Sequence, residues 1–230
     1  MYSIINAPVR SYPYPHFYTE NVFPEGFYRE IISSLPQDDD FQPIHDSGRI
    51  AKSKAAKVDR HIITLRDGHL DNLNDGQKAF WSSLSAMINS EQLANVALHK
   101  FLPSLKERFG DSLPTRTFQP DAILIRDGSD YKLGPHSDAP HRALVLIFYL
   151  PETEAHPELG TSIYRSKNSD FRCEGGPHHK FEDFHRVYTA PYVPNSLFGF
   201  VKTANSFHGV EPMPDQNLRR ELIHYFLRTE

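Results

Sequence analysis

Leu133-Gly134-Pro135-His136-Ser137-Asp138, taken with Ser206-Phe207-His208-Gly209-Val210 much later in the chain, decides how this sequence is read. On a strand, residues i and i+2 point to the same face, so His136 and Asp138 can ligate one ion side by side. His208 sits in a short strand of its own, and only tertiary structure can bring it near. Two imidazoles and one carboxylate occupy one face of an octahedron and leave three positions open, the donor set of non-haem iron(II) sites. The pair alone is a weak signal, because the chain has 13 histidines and most histidines are ordinary surface or core residues.

Three neighbouring features strengthen the metal reading. Asp130-Tyr131-Lys132-Leu133-Gly134-Pro135 forms a turn into the first ligand, and Leu144-Val145-Leu146-Ile147-Phe148-Tyr149-Leu150 beyond it is the most apolar strand of the protein. His208 is followed by turn residues, Pro212-Met213-Pro214-Asp215-Gln216-Asn217, and then by Arg219-Arg220. A diacid whose 2-oxo acid end chelates a metal needs a guanidinium fork for its far carboxylate. In a hairpin centred near Asp215, His208 faces residue 222, which displaces an arginine at 219 or 220 by about 7–10 Å along the ladder. That offset suits a five-carbon diacid.

Strand alternation leaves two registers open. In one, Arg219, Glu221, Ile223 and Tyr225 face the site; in the other, Arg220, Leu222, His224 and Phe226 do. Glu221 beside a bound carboxylate is repulsive, which favours Arg220. Tyr149 is a candidate second donor to the same carboxylate, against the plainer reading of a tyrosine packed in a strand.

Away from these motifs, the sequence bounds the answer more loosely. A chain of 230 residues with 39% apolar content can bury a real core. Its net charge of -4 weighs against nucleic acid, a partner that usually leaves a basic face. The single cysteine, Cys173, allows neither an internal disulfide nor a thiolate metal site and fits a reducing compartment. With no apolar signal region near Met1 and no membrane-length apolar run, the expectation is a soluble, cytoplasmic protein.

In chain order, Tyr12-Pro13-Tyr14-Pro15-His16-Phe17 reads as an extended segment leading to an edge strand. Phe23, Phe27, Ile31 and Leu35 recur every four residues and mark a helix over 21–35, with Pro24 in its first turn. Residues 37–77 are polar and aperiodic, a loop over an active site with a short strand at Ile62–Leu65. Helices follow over 78–88 and 91–109, the second kinked or split by Pro103. From residue 116 the pattern changes to short apolar strands: 122–125, 143–150, 161–164, 187–190, 196–201, 206–210 and 222–227. Strands at this spacing after helices suggest a mostly β architecture with flanking helices (α+β), a β-sandwich or jelly roll on an N-terminal helical buttress. We expect a single domain over 1–230, with 1–115 as support and 116–230 as the core that carries the metal site.

Taken together, these motifs resemble the iron(II)- and 2-oxoglutarate-dependent oxygenases, and within them the prolyl-hydroxylase-like branch. Tyr131-Lys-Leu-Gly-Pro-His136-Ser-Asp138 is similar to the branch's approach to its first ligands, and Phe148-Tyr149-Leu150-Pro151 to its next strand. Pro157-Glu-Leu-Gly160 is similar to the segment whose glycine opens the following strand, and Arg219-Arg220 precedes an apolar strand as the family's arginine does. The resemblance covers about residues 116–228, with a fainter echo at Pro13–Phe17. It implies a double-stranded β-helix (cupin-like jelly roll), iron(II) held by His136, Asp138 and His208, and 2-oxoglutarate held by an arginine. It also implies consumption of molecular oxygen, release of succinate and carbon dioxide, and hydroxylation of an unactivated C–H bond in a small molecule or an amino-acid or peptide side chain. The carboxylate of Asp138 disfavours the halogenating subgroup, which has a small residue there.

Other clusters read more plainly. His178-His179 with His185 suggests a second metal site but lies in a polar loop, where solvent exposure is the better expectation. Arg142 and Arg165 read as surface charge rather than as an acidic-substrate site. A non-catalytic double-stranded β-helix binding protein is the alternative function, and a zinc hydrolase a third, although no general base stands out for it. The loops at 37–77 and 165–186 carry no motif that identifies the substrate.

Overall fold

The computed structural model describes residues 1–49, 59–66, 68–215 and 217–230. Three strands precede the C-terminal half: β1 (His16–Glu20), β2 (Gln42–Pro43) and β3 (Arg60–Thr64). Eight follow: β4 (Phe118–Asp127), β5 (Leu133–His136), β6 (Arg142–Tyr149), β7 (Ser162–Ser166), β8 (Phe184–Thr189), β9 (Ser196–Val201), β10 (His208–Val210) and β11 (Arg220–Thr229). Five helices, α1 (Tyr2–Asn6), α2 (Glu25–Ser33), α3 (Asp75–Ile88), α4 (Glu91–Lys100) and α5 (Leu102–Phe109), belong to the N-terminal half. No helix among the described residues is long and apolar enough to cross a membrane.

A seven-stranded sheet runs β1-β9-β6-β11-β4-β3-β2, and a four-stranded sheet runs β5-β10-β7-β8. From β4 onward the chain passes back and forth between them, so the two sheets form a double-stranded β-helix, or jelly roll. Every strand pair among the described residues is antiparallel.

The run 143–150 has no polar face because β6 has no solvent face. Leu144, Leu146, Phe148 and Leu150 pack in the cluster shared with the helices, where Ile31, Trp81, Leu84 and Leu105 lie. Val145, Ile147 and Tyr149 point the other way, into the cluster between the sheets. β9 and β11 flank β6 and divide in the same manner: Leu197, Val201, Ile223, Tyr225 and Leu227 face the helices, while Phe198, Phe200, Leu222 and Phe226 face the barrel. A strand buried on both faces reads as a continuous apolar run instead of an alternation.

Several sequence expectations need correction. His208 and the last strand do not form a hairpin: β10 pairs with β5 and β7, β11 with β4 and β6. Pro212 and Pro214 cannot donate to a ladder, and the connection crosses from one sheet to the other. The arginine offset therefore spans the gap between sheets and is not measured along one ladder. Of the turn expected over 130–135, Leu133–Pro135 belong instead to strand β5, and the turn falls earlier, where Tyr131 N–H bonds Gly128 C=O at 3.1 Å. The helical run over 91–109, by contrast, is split at Pro103 as expected: it is two helices, with Pro103 in the first turn of the second. Residues 1–20, rich in Tyr and Pro, read in the sequence as one extended segment, yet their first turn is helix α1. Of the loop expected over 37–77, residues 50–58 lie outside the described residues; before them Arg49 holds Asp121 with two hydrogen bonds of 2.9 and 3.0 Å, and β3 follows.

Leu146 is fully buried between the helices and β9. Leu146→Ala should lower unfolding stability by about 2–5 kcal/mol, the usual cost of a truncated core leucine, seen as a reduced urea midpoint with unchanged slope.

Candidate metal centre

His136 closes β5 and His208 opens β10, and the two are direct partners in the antiparallel register. Their ring centroids are 4.3 Å apart. Asp138, two residues beyond His136, places Oδ2 3.7 Å from His208 Nε2. One donor atom from each of the three residues lies within 4.8 Å of the others, and all three residues are buried. Among the described residues they are the one such group. Gly134 belongs to the same construction, since a Cβ there would collide with the carbonyl oxygen of His179.

The backbone orients both imidazoles. His136 Nδ1 lies 3.1 Å from Gly134 C=O, and His208 Nδ1 lies 3.0 Å from Ser206 C=O. A carbonyl only accepts, so each Nδ1 carries the proton and each Nε2 keeps a bare lone pair for a metal. Burial, followed by the neighbouring His208, holds the His136 pKa well below the usual histidine value, and burial lowers that of His208. Both rings are therefore in the neutral, ligating form.

Asp138 is the third donor. Burial opposes its ionisation, but the Arg142 guanidinium, foremost among its neighbours, outweighs that and holds its carboxyl well below the usual carboxylate range. Oδ1 accepts a 2.6 Å hydrogen bond from Arg142 Nη1, whereas Oδ2 is buried with no hydrogen-bond partner. Leaving a buried carboxylate oxygen unpaired is costly. A divalent ion held by His136, Asp138 and His208 would satisfy it, so the residues fit a metal whose preferred donors are imidazole and carboxylate, as iron(II)'s are.

The two arginines weighed for a diacid's far carboxylate lie at the start of β11. Its inward row is Arg220, Leu222, His224 and Phe226, with Leu222 and Phe226 in the core between the sheets. Arg220 is 1% exposed; its Nε and Nη2 donate to Asp127 Oδ2 at 3.2 and 2.7 Å, and Nη1 to Leu159 C=O at 2.8 Å. Arg219 points outward, its side chain 55% exposed and ion-paired with Asp38 and Glu221. Tyr149 is fully buried; its hydroxyl accepts from Thr161 N–H at 2.9 Å, which leaves its own proton to donate.

Three further residues near the donor set were named in the sequence without being given a role there. Arg142, read as surface charge, is instead latched to Asp138 and stacked 4.3 Å from the Phe226 ring centroid. The only hint was its position four residues past Asp138, which brings them together because Arg142 N–H closes a turn onto Ala139 C=O. His224 has a buried Nε2 with no hydrogen-bond partner, and burial, then Arg142, pushes its pKa well down. His178 is exposed as expected, yet its ring lies 4.8 Å from that of His136. His179 corrects the expectation of solvent exposure: it packs against Phe171, Phe184 and Phe207 at 5.1, 5.7 and 6.0 Å. Arg165 is exposed.

No family model matches the sequence, and no curated protein matches it either. Solved structures do match in fold. A prolyl-4-hydroxylase from Pseudomonas putida superposes with a TM-score of 0.54 at 14% identity, covering 93% of this chain and 92% of that one. A Trichoplax adhaerens prolyl hydroxylase, solved with a hypoxia-inducible-factor peptide fragment, gives 0.51 at 14% identity over 93% and 83%. A non-haem alpha-ketoglutarate-dependent carbocyclase from nogalamycin biosynthesis gives 0.52 at 11% identity over 93% and 79%. The shared architecture is the double-stranded β-helix.

If Arg142 orients Asp138 toward a metal, Arg142→Met should weaken divalent-metal binding roughly 10–100-fold, the usual effect of losing a hydrogen bond to a ligand. Calorimetric titration of the metal-free protein with Mn(II) measures this; unchanged affinity would remove Arg142 from that role.

Proposed function

We propose that this protein is an iron(II)- and 2-oxoglutarate-dependent oxygenase that hydroxylates an unactivated C–H bond of a small molecule or of an amino-acid or peptide side chain. The observation that supports it most is the presence in one barrel of two complementary sets of groups. One is a buried N,N,O donor set of His136, Asp138 and His208; the other is a buried arginine and tyrosine that offer donors to a carboxylate. A binding module without chemistry has no need of both.

In this reading His136, Asp138 and His208 hold the metal, and Arg220 with Tyr149 holds the distal carboxylate of 2-oxoglutarate. Iron and the co-substrate, when bound, supply the oxidant: one atom of dioxygen ends in succinate, carbon dioxide leaves, and the other atom becomes the hydroxyl of the product. The chain's own residues prepare that step. The Nδ1 hydrogen bonds to Gly134 and Ser206 aim two neutral Nε2 atoms inward. Arg142 occupies one oxygen of Asp138, which leaves the other for the metal. Phe200, whose ring centroid is 4.5 Å from that of His208, and the apolar residues between the sheets keep water away from the reacting centre. Three open coordination positions suffice for a bidentate 2-oxo acid and oxygen.

The solved relatives in fold include hydroxylases and a carbocyclase. Hydroxylation is our preference because it is the simplest outcome for a site that keeps the aspartate ligand. The test is succinate release by the protein reconstituted with Fe(II), 2-oxoglutarate and oxygen, run against a panel of amino acids, peptides and small metabolites. Succinate should form, rise with the true substrate, and vanish in His208→Ala. No succinate from a protein that binds both metal and 2-oxoglutarate would leave a non-catalytic binding protein.

A further inference from the structure

The anchor end of the site holds one more cation than a single-arginine anchor needs. Arg60 on β3, Asp127 on β4 and Arg220 on β11 are partners in adjacent ladders, so they form one row across three strands. Asp127 is fully buried. Arg60 grips it with both prongs, Nε to Oδ1 at 2.5 Å and Nη2 to Oδ2 at 2.9 Å, while Arg220 shares Oδ2. Tyr131 braces both guanidiniums, its ring centroid lying 4.1 Å from that of Arg60 and 6.0 Å from that of Arg220.

Among the described residues, two guanidiniums against one carboxylate leave this row with a net charge of +1, with Arg220 buried and Arg60 12% exposed, beside the apolar side chains of Ile62, Ile125, Leu159 and Leu222. A buried charge without a counterion is strongly disfavoured. Arg60 also has spare capacity: its Nη1 hydrogen-bonds to none of the described residues. One further carboxylate, brought by a ligand, would neutralise the row and take up that donor.

We propose that Arg60 is a second cation of the co-substrate site, and that Asp127 holds Arg60 and Arg220 side by side as a two-arginine clamp for the distal carboxylate of a dianionic 2-oxo acid. This rests on the co-substrate reading above. Asp127 has two tasks in the clamp. It keeps two like charges from repelling each other, and it fixes both forks before the ligand arrives, which lowers the ordering cost of binding. A 2-oxo acid without the second carboxylate leaves the +1 uncompensated, so the clamp selects diacids.

The test is calorimetric titration of the Mn(II)-loaded protein with 2-oxoglutarate and with 2-oxobutyrate, which has the same chelating end and a methyl in place of the far carboxylate arm. The wild type should bind 2-oxoglutarate more tightly. Arg60→Met should weaken 2-oxoglutarate by roughly 10–100-fold, the loss expected for a charge-assisted hydrogen bond, and leave 2-oxobutyrate unchanged. Arg60→Lys, which keeps the charge and loses the fork, should fall between them and carries the same comparison if the methionine variant does not fold. Unchanged 2-oxoglutarate affinity, or equal loss for both acids, would reduce Arg60 to a structural ion pair and overturn the proposal while the co-substrate reading stands. A wild type that binds metal but neither acid would overturn both.

Discussion

The pairing of β10 with β5 is the contact on which the candidate site depends. It sets His208 opposite His136, and Asp138 then follows two residues later with one oxygen bonded to Arg142 and the other buried without a partner. A pairing shifted by one residue would turn His208 to the other face of its sheet. The site is thus a consequence of register, and the remainder of the fold serves to hold that register and to exclude water around it.

The larger sheet provides the platform. β6, β9 and β11 are sealed by helices on one face and by the barrel core on the other, which leaves them little freedom to slide. β11 links the two ends of the site. Its inward row begins with Arg220 against Asp127 and ends with Phe226 against Arg142, which in turn holds Asp138. The barrel interior is therefore apolar in the middle and charged at both ends.

How far this was legible in the sequence follows from the range of each interaction. The doubly buried strand was plain in the run 143–150, because burial on two faces removes all alternation. The His136–Asp138 pair was plain because its geometry is local to one strand, and the choice of Arg220 over Arg219 as the inward residue followed from alternation and the charge of Glu221. The partners of β10 were not, since turn residues alone do not distinguish a hairpin from a crossing between sheets. Arg60 and Arg142 were invisible for a similar reason: each reaches its partners only through strand pairing or a turn, and neither sits in a motif, whereas alternation placed His224 in the inward row without giving it a role.

The central claim is that one interior holds a metal and a 2-oxo diacid together. Absorption spectra of the protein with Fe(II) under anaerobic conditions, before and after 2-oxoglutarate, test it most directly. The account predicts a visible metal-to-ligand charge-transfer band that needs Fe(II), 2-oxoglutarate and intact His208 together. A spectrum that stays featureless with both freshly added, in protein that is folded and metal-competent, would contradict it.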